Sequence, residues 1–308
     1  MNSKIDNGPS LLLPDGRRLA YRIYGDPAGR PMLTLHGTPG SRLKFSIADE
    51  AARSRGLMLI SIDRWGYGRS CPHPRPSLSA FAKDVSHLLD ALGIDRIGVM
   101  GISGGGPFAA GVAGALGPRV TCAALVAPVG EMADPKLRWR DLSFLHAFAF
   151  RVLPRIPGGV RLLFEQFRLI SAASPSASAL VATRRSAPSD RRLMRDPALR
   201  RSLGTTFADG LRRGAKGAVI DMQVFSRRWD FAVESINCPT RVWIGTADRN
   251  VSVKAACQLA ERAPNGSLIR LPDQGHFWAA QHVDIVLAWL DQTDAEARQP
   301  AGVALRVK

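Results

Sequence analysis

Residues 97–108 read Ile-Gly-Val-Met-Gly-Ile-Ser-Gly-Gly-Gly-Pro-Phe, and few folds accommodate such a stretch. An apolar, β-type run from Ile97 to Ile102 stops at Ser103, and three glycines follow at once. A strand that turns into a helix with almost no connection forces the serine into dihedrals that bulky neighbours would forbid. Gly101, Gly104 and Gly105 remove that bulk and complete Gly-Ile-Ser-Gly-Gly, a match to the G-x-S-x-G pattern. In that arrangement the serine hydroxyl is lifted off a sheet edge to a helix N-terminus, where developing negative charge is favoured. In a chain with 29 glycines the pentapeptide also fits a phosphate-binding or purely structural turn, so the other residues must decide.

Taken in order, the chain alternates strands with helices. Residues 11–24 read as a β-hairpin about the turn Pro14-Asp15-Gly16, and 31–36 as a short buried strand ending at His36. The loop Gly37-Thr38-Pro39-Gly40-Ser41 follows, with a helix expected at about 45–55. Next come a strand at 57–62, a turn-rich loop at 63–70, and a helix capped by Ser77 or Ser79 that runs to about 92. After the elbow strand come a small-residue helix at 104–116 and an apolar strand at 120–126. Strands apolar on both faces and separated by helices indicate a mostly parallel sheet covered on each side, an α/β fold.

The rhythm breaks after Pro128. From about 131 to 235 the chain is Arg-rich and helix-forming, interrupted at Pro154, Pro157, Pro175 and Pro188 and without a strong strand. It resumes with a strand at 240–245, a helix near 252–263, a strand at 267–271 and a helix near 280–292. The expected organisation is therefore a core formed by 1–130 and 236–308, with 131–235 inserted as a helical cap. The polar, alanine-rich tail 293–308 is expected to fray.

A serine hydroxyl is a poor nucleophile until a base takes its proton, and the base needs an orienting acid. Of the six histidines, His276 stands in Asp273-Gln274-Gly275-His276-Phe277, directly after the last strand. His36 ends a strand, His73 lies between prolines, and His87, His146 and His282 fall on helices; these read as structural or exposed. Asp248 follows the strand 240–245. Ser103, Asp248 and His276 thus each follow a separate strand at one sheet edge, in the order Ser…Asp…His that α/β-hydrolases use. Glu131 and Asp273 are the other carboxylates within reach as orienting acid.

With these residues assembled, the chain from about 10 to 292 resembles the α/β-hydrolase superfamily, in its capped serine-hydrolase, fold-1 type. The resemblance rests on His-Gly-Thr-Pro-Gly (36–40), Asp-Arg-Trp-Gly-Tyr-Gly-Arg-Ser (63–70), Gly-Ile-Ser-Gly-Gly-Gly-Pro-Phe (101–108), Gly-Thr-Ala-Asp (245–248) and Gly-His-Phe (275–277). It implies Ser103 as nucleophile, His276 as general base and then acid, Asp248 holding its imidazole, and an oxyanion hole from the backbone N–H groups of Thr38 and Gly104. His36 and Asp63 match positions that shape loops. A serine at the elbow argues against the haloalkane dehalogenase and epoxide hydrolase branches, which carry aspartate there. The chain departs from the proline iminopeptidase pattern, which has Trp after its serine where Gly104 stands, and from the usual Asp-Arg-Pro-Gly-Tyr-Gly loop, where Trp65 replaces proline.

The expected function is a carboxylesterase-like hydrolase (EC class 3) acting on an ester-like or other acyl bond of a small or medium apolar substrate. Trp139, Phe144 and Phe148 are candidates to line its pocket, against the plainer reading that such aromatics pack a cap onto a core. Alternatives are a peptidase or C–C hydrolase on the same fold, or a ligand-binding receptor with a vestigial site. The formal charge of +16 raises nucleic-acid binding, but the arginines are dispersed and paired as on solvated helix faces, and no nucleic-acid motif accompanies them. No cofactor fingerprint or metal-ligand cluster stands out, so neither cofactor nor metal is expected. The four scattered cysteines read as reduced thiols. The polar first ten residues, and the lack of any run near ~18 apolar residues, lead to the expectation of a cytoplasmic protein without a membrane span, with a homodimer left open.

Overall fold

A computed structural model describes residues 8–299, so the expectations for residues 1–7 and 300–308 lie outside the described residues. Eight strands form one sheet in the order β1-β2-β4-β3-β5-β6-β7-β8. They are β1 Ser10–Leu12, β2 Arg18–Gly25, β3 Arg30–Leu35, β4 Leu57–Ile62, β5 Ile97–Ile102, β6 Val120–Val126, β7 Thr240–Gly245 and β8 Gly266–Leu271. The hairpin β1–β2 pairs antiparallel and β2 joins β4 antiparallel, while β3 to β8 are parallel throughout.

Strands β3 to β7 are largely buried on both faces, because helices cover both, while the edge strand β8 is half-buried or exposed along its length. On one face Met32, Leu57, Leu59, Cys122, Ala124 and Trp243 pack against the short α1 (Asp49–Arg53) and the long α11 (Ala279–Arg298). On the other, Leu33, Leu35, Ile60, Ile62, Val99, Leu125 and Val242 meet α2 (Leu78–Ala91), α3 (Gly105–Leu116) and α10 (Val253–Arg262). Ser77 caps α2, its side chain accepting from the Ala80 N–H.

Between β6 and β7 the described residues hold helices and no strand: α4 (Phe144–Ala147), α5 (Gly159–Ala173), α6 (Pro175–Thr183), α7 (Pro188–Leu193), α8 (Pro197–Gly210) and α9 (Lys216–Phe225). The proline-led starts of α6, α7 and α8 put the missing N–H where a helix has no partner for it.

Two expectations are corrected. The helix placed at about 45–55 is a 3₁₀ turn, Arg42–Ala48, followed by α1, because the Asp63 carboxylate and Ser41 Oγ draw the Arg42 and Leu43 amides into a tighter turn. The fraying expected from 293 is absent over 293–298. Helix α11 continues to Arg298, held by buried Asp294, which accepts from Thr121, Arg30 and Arg298. The cysteines are free thiols, three of them buried.

Candidate active site

The turn after β5 carries the strain that its sequence implies. Ser103 has φ 55°, a left-handed conformation that side chains rarely adopt. It persists because the backbone is held on both sides. The Ser103 N–H donates to the Val126 carbonyl at 2.9 Å, and the Ser103 carbonyl accepts from Gly106 and Val129 at 2.9 and 3.0 Å. A Cβ on Gly105 would lie 2.3 Å from the Leu35 carbonyl oxygen, so glycine alone lets α3 begin this close to β3.

The Ser103 hydroxyl meets His276 Nε2 at 2.9 Å, and His276 Nδ1 meets Asp248 Oδ2 at 2.8 Å. A carboxylate requires a proton on Nδ1, which leaves Nε2 to accept from the serine. The other Asp248 oxygen accepts from the Asn250 and Val251 N–H groups at 2.7 and 3.1 Å, fixing the carboxylate plane. All three groups sit in loops at the carboxyl ends of β5, β7 and β8, as their order in the chain implies. Burial is the strongest influence on His276 and disfavours its charge. The charge and hydrogen bond of Asp248, aided by the charge of Asp190, outweigh it and raise the imidazole above its ordinary value.

Next to the serine, the N–H groups of Thr38 and Gly104 donate to no other group among the described residues. A Cβ on Gly104 would fall 2.1 Å from Thr38 Oγ1 and 3.1 Å from the Phe225 ring. This crowding explains why glycine follows the serine here. Thr38 Oγ1 in turn donates to Asp221 of α9, which also accepts from Tyr67 Oη at 2.7 Å and from the buried Arg64 guanidinium.

A cavity of about 500 Å³ opens onto Ser103 and His276. Its apolar walls come from Phe150, Phe164, Phe167, Phe207, Met222 and Phe225, with Lys44, Arg185 and Arg249 as its cations and no Asp or Glu among the described lining residues.

Trp139, Phe144 and Phe148 do not line it. They stand 58%, 87% and 38% exposed on the outside, where Phe144 and Phe148 stack on each other and Trp139 lies under the Arg151 guanidinium. The residues of this stretch that line it are Leu145, His146, Ala149, Phe150 and Leu153, spaced as one face of a helix, which turns 144 and 148 away. His146, read from sequence as structural or exposed, is a buried lining residue whose Nε2 meets the Arg249 carbonyl at 3.1 Å.

Glu131 is not an orienting acid. It accepts from the Trp229 N–H at 3.0 Å and from Arg262 at 2.7 Å, where the chain leaves and re-enters the sheet region. Asp273 occupies a tight turn with φ 56°. His36 is buried, with Nε2 accepting from the Arg64 N–H, and burial first, then the Arg64 charge, holds it well below its ordinary value. Asp63 is buried against Arg42 and shapes the loop, as expected. Trp65 is fully buried away from the cavity, donating to Asp84 at 2.7 Å.

Sequence reasoning missed Asp190 of α7, which is fully buried and accepts from the His276 and Phe277 N–H groups at 2.9 Å each. It also missed Asp221. The signal for Asp221 was an acid inside the apolar run Gly-Ala-Val-Ile-Asp-Met; Asp190, after Pro188-Ser189, looks like any first-turn acid.

A profile of the family described as alpha/beta hydrolase fold matches residues 30–282. Among curated proteins, the chain is 34% identical over 105 residues to a proline iminopeptidase of Lactobacillus delbrueckii subsp. lactis, an alignment covering 32% of this chain and 36% of that protein. The chain thus spans about a third of the length of the curated relatives it matches. Among solved structures, a thermophilic esterase from Thermogutta terrifontis superposes with a TM-score of 0.67 at 19% identity, covering 94% of this chain and 99% of that one. An enol-lactonase from Burkholderia xenovorans LB400 also gives 0.67 at 19% identity, over 92% and 99%. At these identities the solved structures show the fold alone.

Proposed function

The chain belongs to the α/β-hydrolase fold family, and from that premise we propose that it is a serine hydrolase of an ester-like or other acyl bond in a small or medium apolar substrate. The observation that carries the reading is the hydrogen-bonded line Ser103–His276–Asp248, which opens onto an apolar cavity beside two unpaired backbone N–H groups.

In this reading Ser103 Oγ attacks the substrate carbonyl while His276 Nε2 takes its proton. Asp248 keeps the other imidazole proton on Nδ1 and balances the imidazolium that forms. The carbonyl oxygen becomes an oxyanion and gathers the N–H groups of Thr38 and Gly104, which are committed to nothing in the resting site. His276 then protonates the leaving group, an acyl-serine remains, and a water activated by the same imidazole releases the acid. No step draws on a metal or cofactor. The helical segment between β6 and β7 serves as a cap that keeps bulk water from the cavity. Three lining cations without a lining carboxylate disfavour a substrate bearing a protonated imino or amino terminus, so esterase or lactonase chemistry is preferred to that of the iminopeptidases.

Labelling with a small fluorophosphonate followed by peptide mapping tests the assignment. The wild type acquires an adduct on Ser103 and His276→Ala does not. A folded wild-type protein that takes no label overturns the reading and brings a receptor role forward. Ser103→Ala lowers kcat by ~10³-fold or more, read in ester turnover, with circular dichroism unchanged.

A further inference from the structure

Lys44 lies on the 3₁₀ turn after the Thr38 loop, half-buried and in the cavity wall beside Phe45 and Ile47. Its ammonium makes no ion pair and no hydrogen bond among the described residues, in a chain whose other cavity cations, Arg185 and Arg249, are exposed. Its charge reaches His276, where it works against protonation of the imidazole. A solvated lysine needs no partner, but one facing apolar walls forfeits hydration without compensation. Consistent with this, burial pushes the ammonium down to about 8. The structure places the one cavity cation that is not exposed in a largely apolar wall, within electrostatic reach of the proposed base, and no lining carboxylate among the described residues answers it.

We propose that Lys44 is the anchor for a carboxylate on the substrate, so that the molecule hydrolysed is an amphipathic monoanion: an apolar body bearing an acyl bond at one point and a carboxylate at another. This rests on the hydrolase reading for the acyl bond, though not for the anchor itself. A monoanion fits Lys44 better than a phosphate monoester, because Arg185 and Arg249, the other cations of the lining, are exposed, so the buried side of the cavity offers one positive charge to balance. Lysine suits the task as a compact point charge that does not demand the planar, two-pronged geometry of arginine.

Binding is measured first, by calorimetry in Ser103→Ala, so that the result does not depend on turnover. The probes are monomethyl suberate, which has one free carboxylate, and dimethyl suberate, its neutral counterpart. The monoester is expected to bind at least about tenfold more tightly, as befits a charge-assisted contact away from bulk water. Adding Lys44→Met or Lys44→Gln abolishes the difference, and Lys44→Arg retains most of it. Equal binding of the two probes, tighter binding of the diester, or a preference that survives both Lys44→Met and Lys44→Gln overturns the anchor. Two neutral replacements guard against one of them failing to fold. Turnover of the same esters by the wild type separates the two readings. A carboxylate preference that depends on Lys44, without hydrolysis of either ester or Ser103 labelling, keeps the anchor and removes the hydrolase.

Discussion

The sheet edge and the helical segment between β6 and β7 hold the same site by different physical means. At the edge, backbone sterics dominate: Ser103 is forced into place because β5 ends where α3 starts, and Gly105 permits the approach. In the helical segment, buried carboxylates dominate. Asp190 grips the two N–H groups of the His276–Phe277 loop, and Asp221 grips Thr38, Tyr67 and Arg64. The sheet therefore locates the proposed reacting groups, while the segment orients the loops that carry the proposed base and one unpaired N–H. Steric placement is lost by adding one methyl group at Gly105, electrostatic placement by removing one charge.

The comparison breaks most severely at Asp221→Asn. Arg64 is fully buried and Asp221 nearly so, and removing one partner leaves an uncompensated charge. A loss of about 3–5 kcal/mol is expected in chemical denaturation, with ester turnover falling as the Thr38 loop relaxes. If stability and turnover are both unchanged, the segment does not position that loop.

Asp190→Asn tests the other grip with a smaller effect. The Asp190 charge helps to raise His276 above its ordinary value, so its removal lowers the imidazole. The imidazole must be neutral to accept the serine proton, so the acid limb of kcat/KM moves to lower pH. A limb that stays fixed while the protein merely loses stability assigns Asp190 to folding alone. Phe144→Ala sharpens the comparison from the outside. At 87% exposed, that ring is expected to contribute within about 0.5 kcal/mol and to leave kcat/KM unchanged.

What was legible in the sequence follows the same division. Ser103 follows β5, an apolar run buried almost throughout, while Asp248 follows β7 and His276 follows the partly exposed edge strand β8, so the edge could be assembled from strand ends in chain order. The helical segment offers no such landmark. The aromatic character of Phe144 and Phe148 says nothing of which way they face; only the spacing of His146, Phe150 and Leu153 does. Asp190 and Asp221 resemble surface acids until tertiary packing closes over them. The extent of α11 was misread for a related reason, since Asp294 looks like tail polarity until Arg30, Thr121 and Arg298 surround it.

Glu131 receives the Trp229 N–H and the Arg262 guanidinium, so the two ends of the helical excursion are stapled at its base. Arg262 reaches on to Asp134 and Glu234 at the same neck. A chain that departs and returns through one clasp is free to vary in between, because lengthening a closed loop costs little: about 0.6 kcal/mol for each doubling. Loop closure thus sets little limit on the segment's length, although Phe150, Met222 and Phe225 share the buried core of the sheet and fix what must stay. Any replacement must still bring two carboxylates to the right places, one above the histidine loop and one above the threonine.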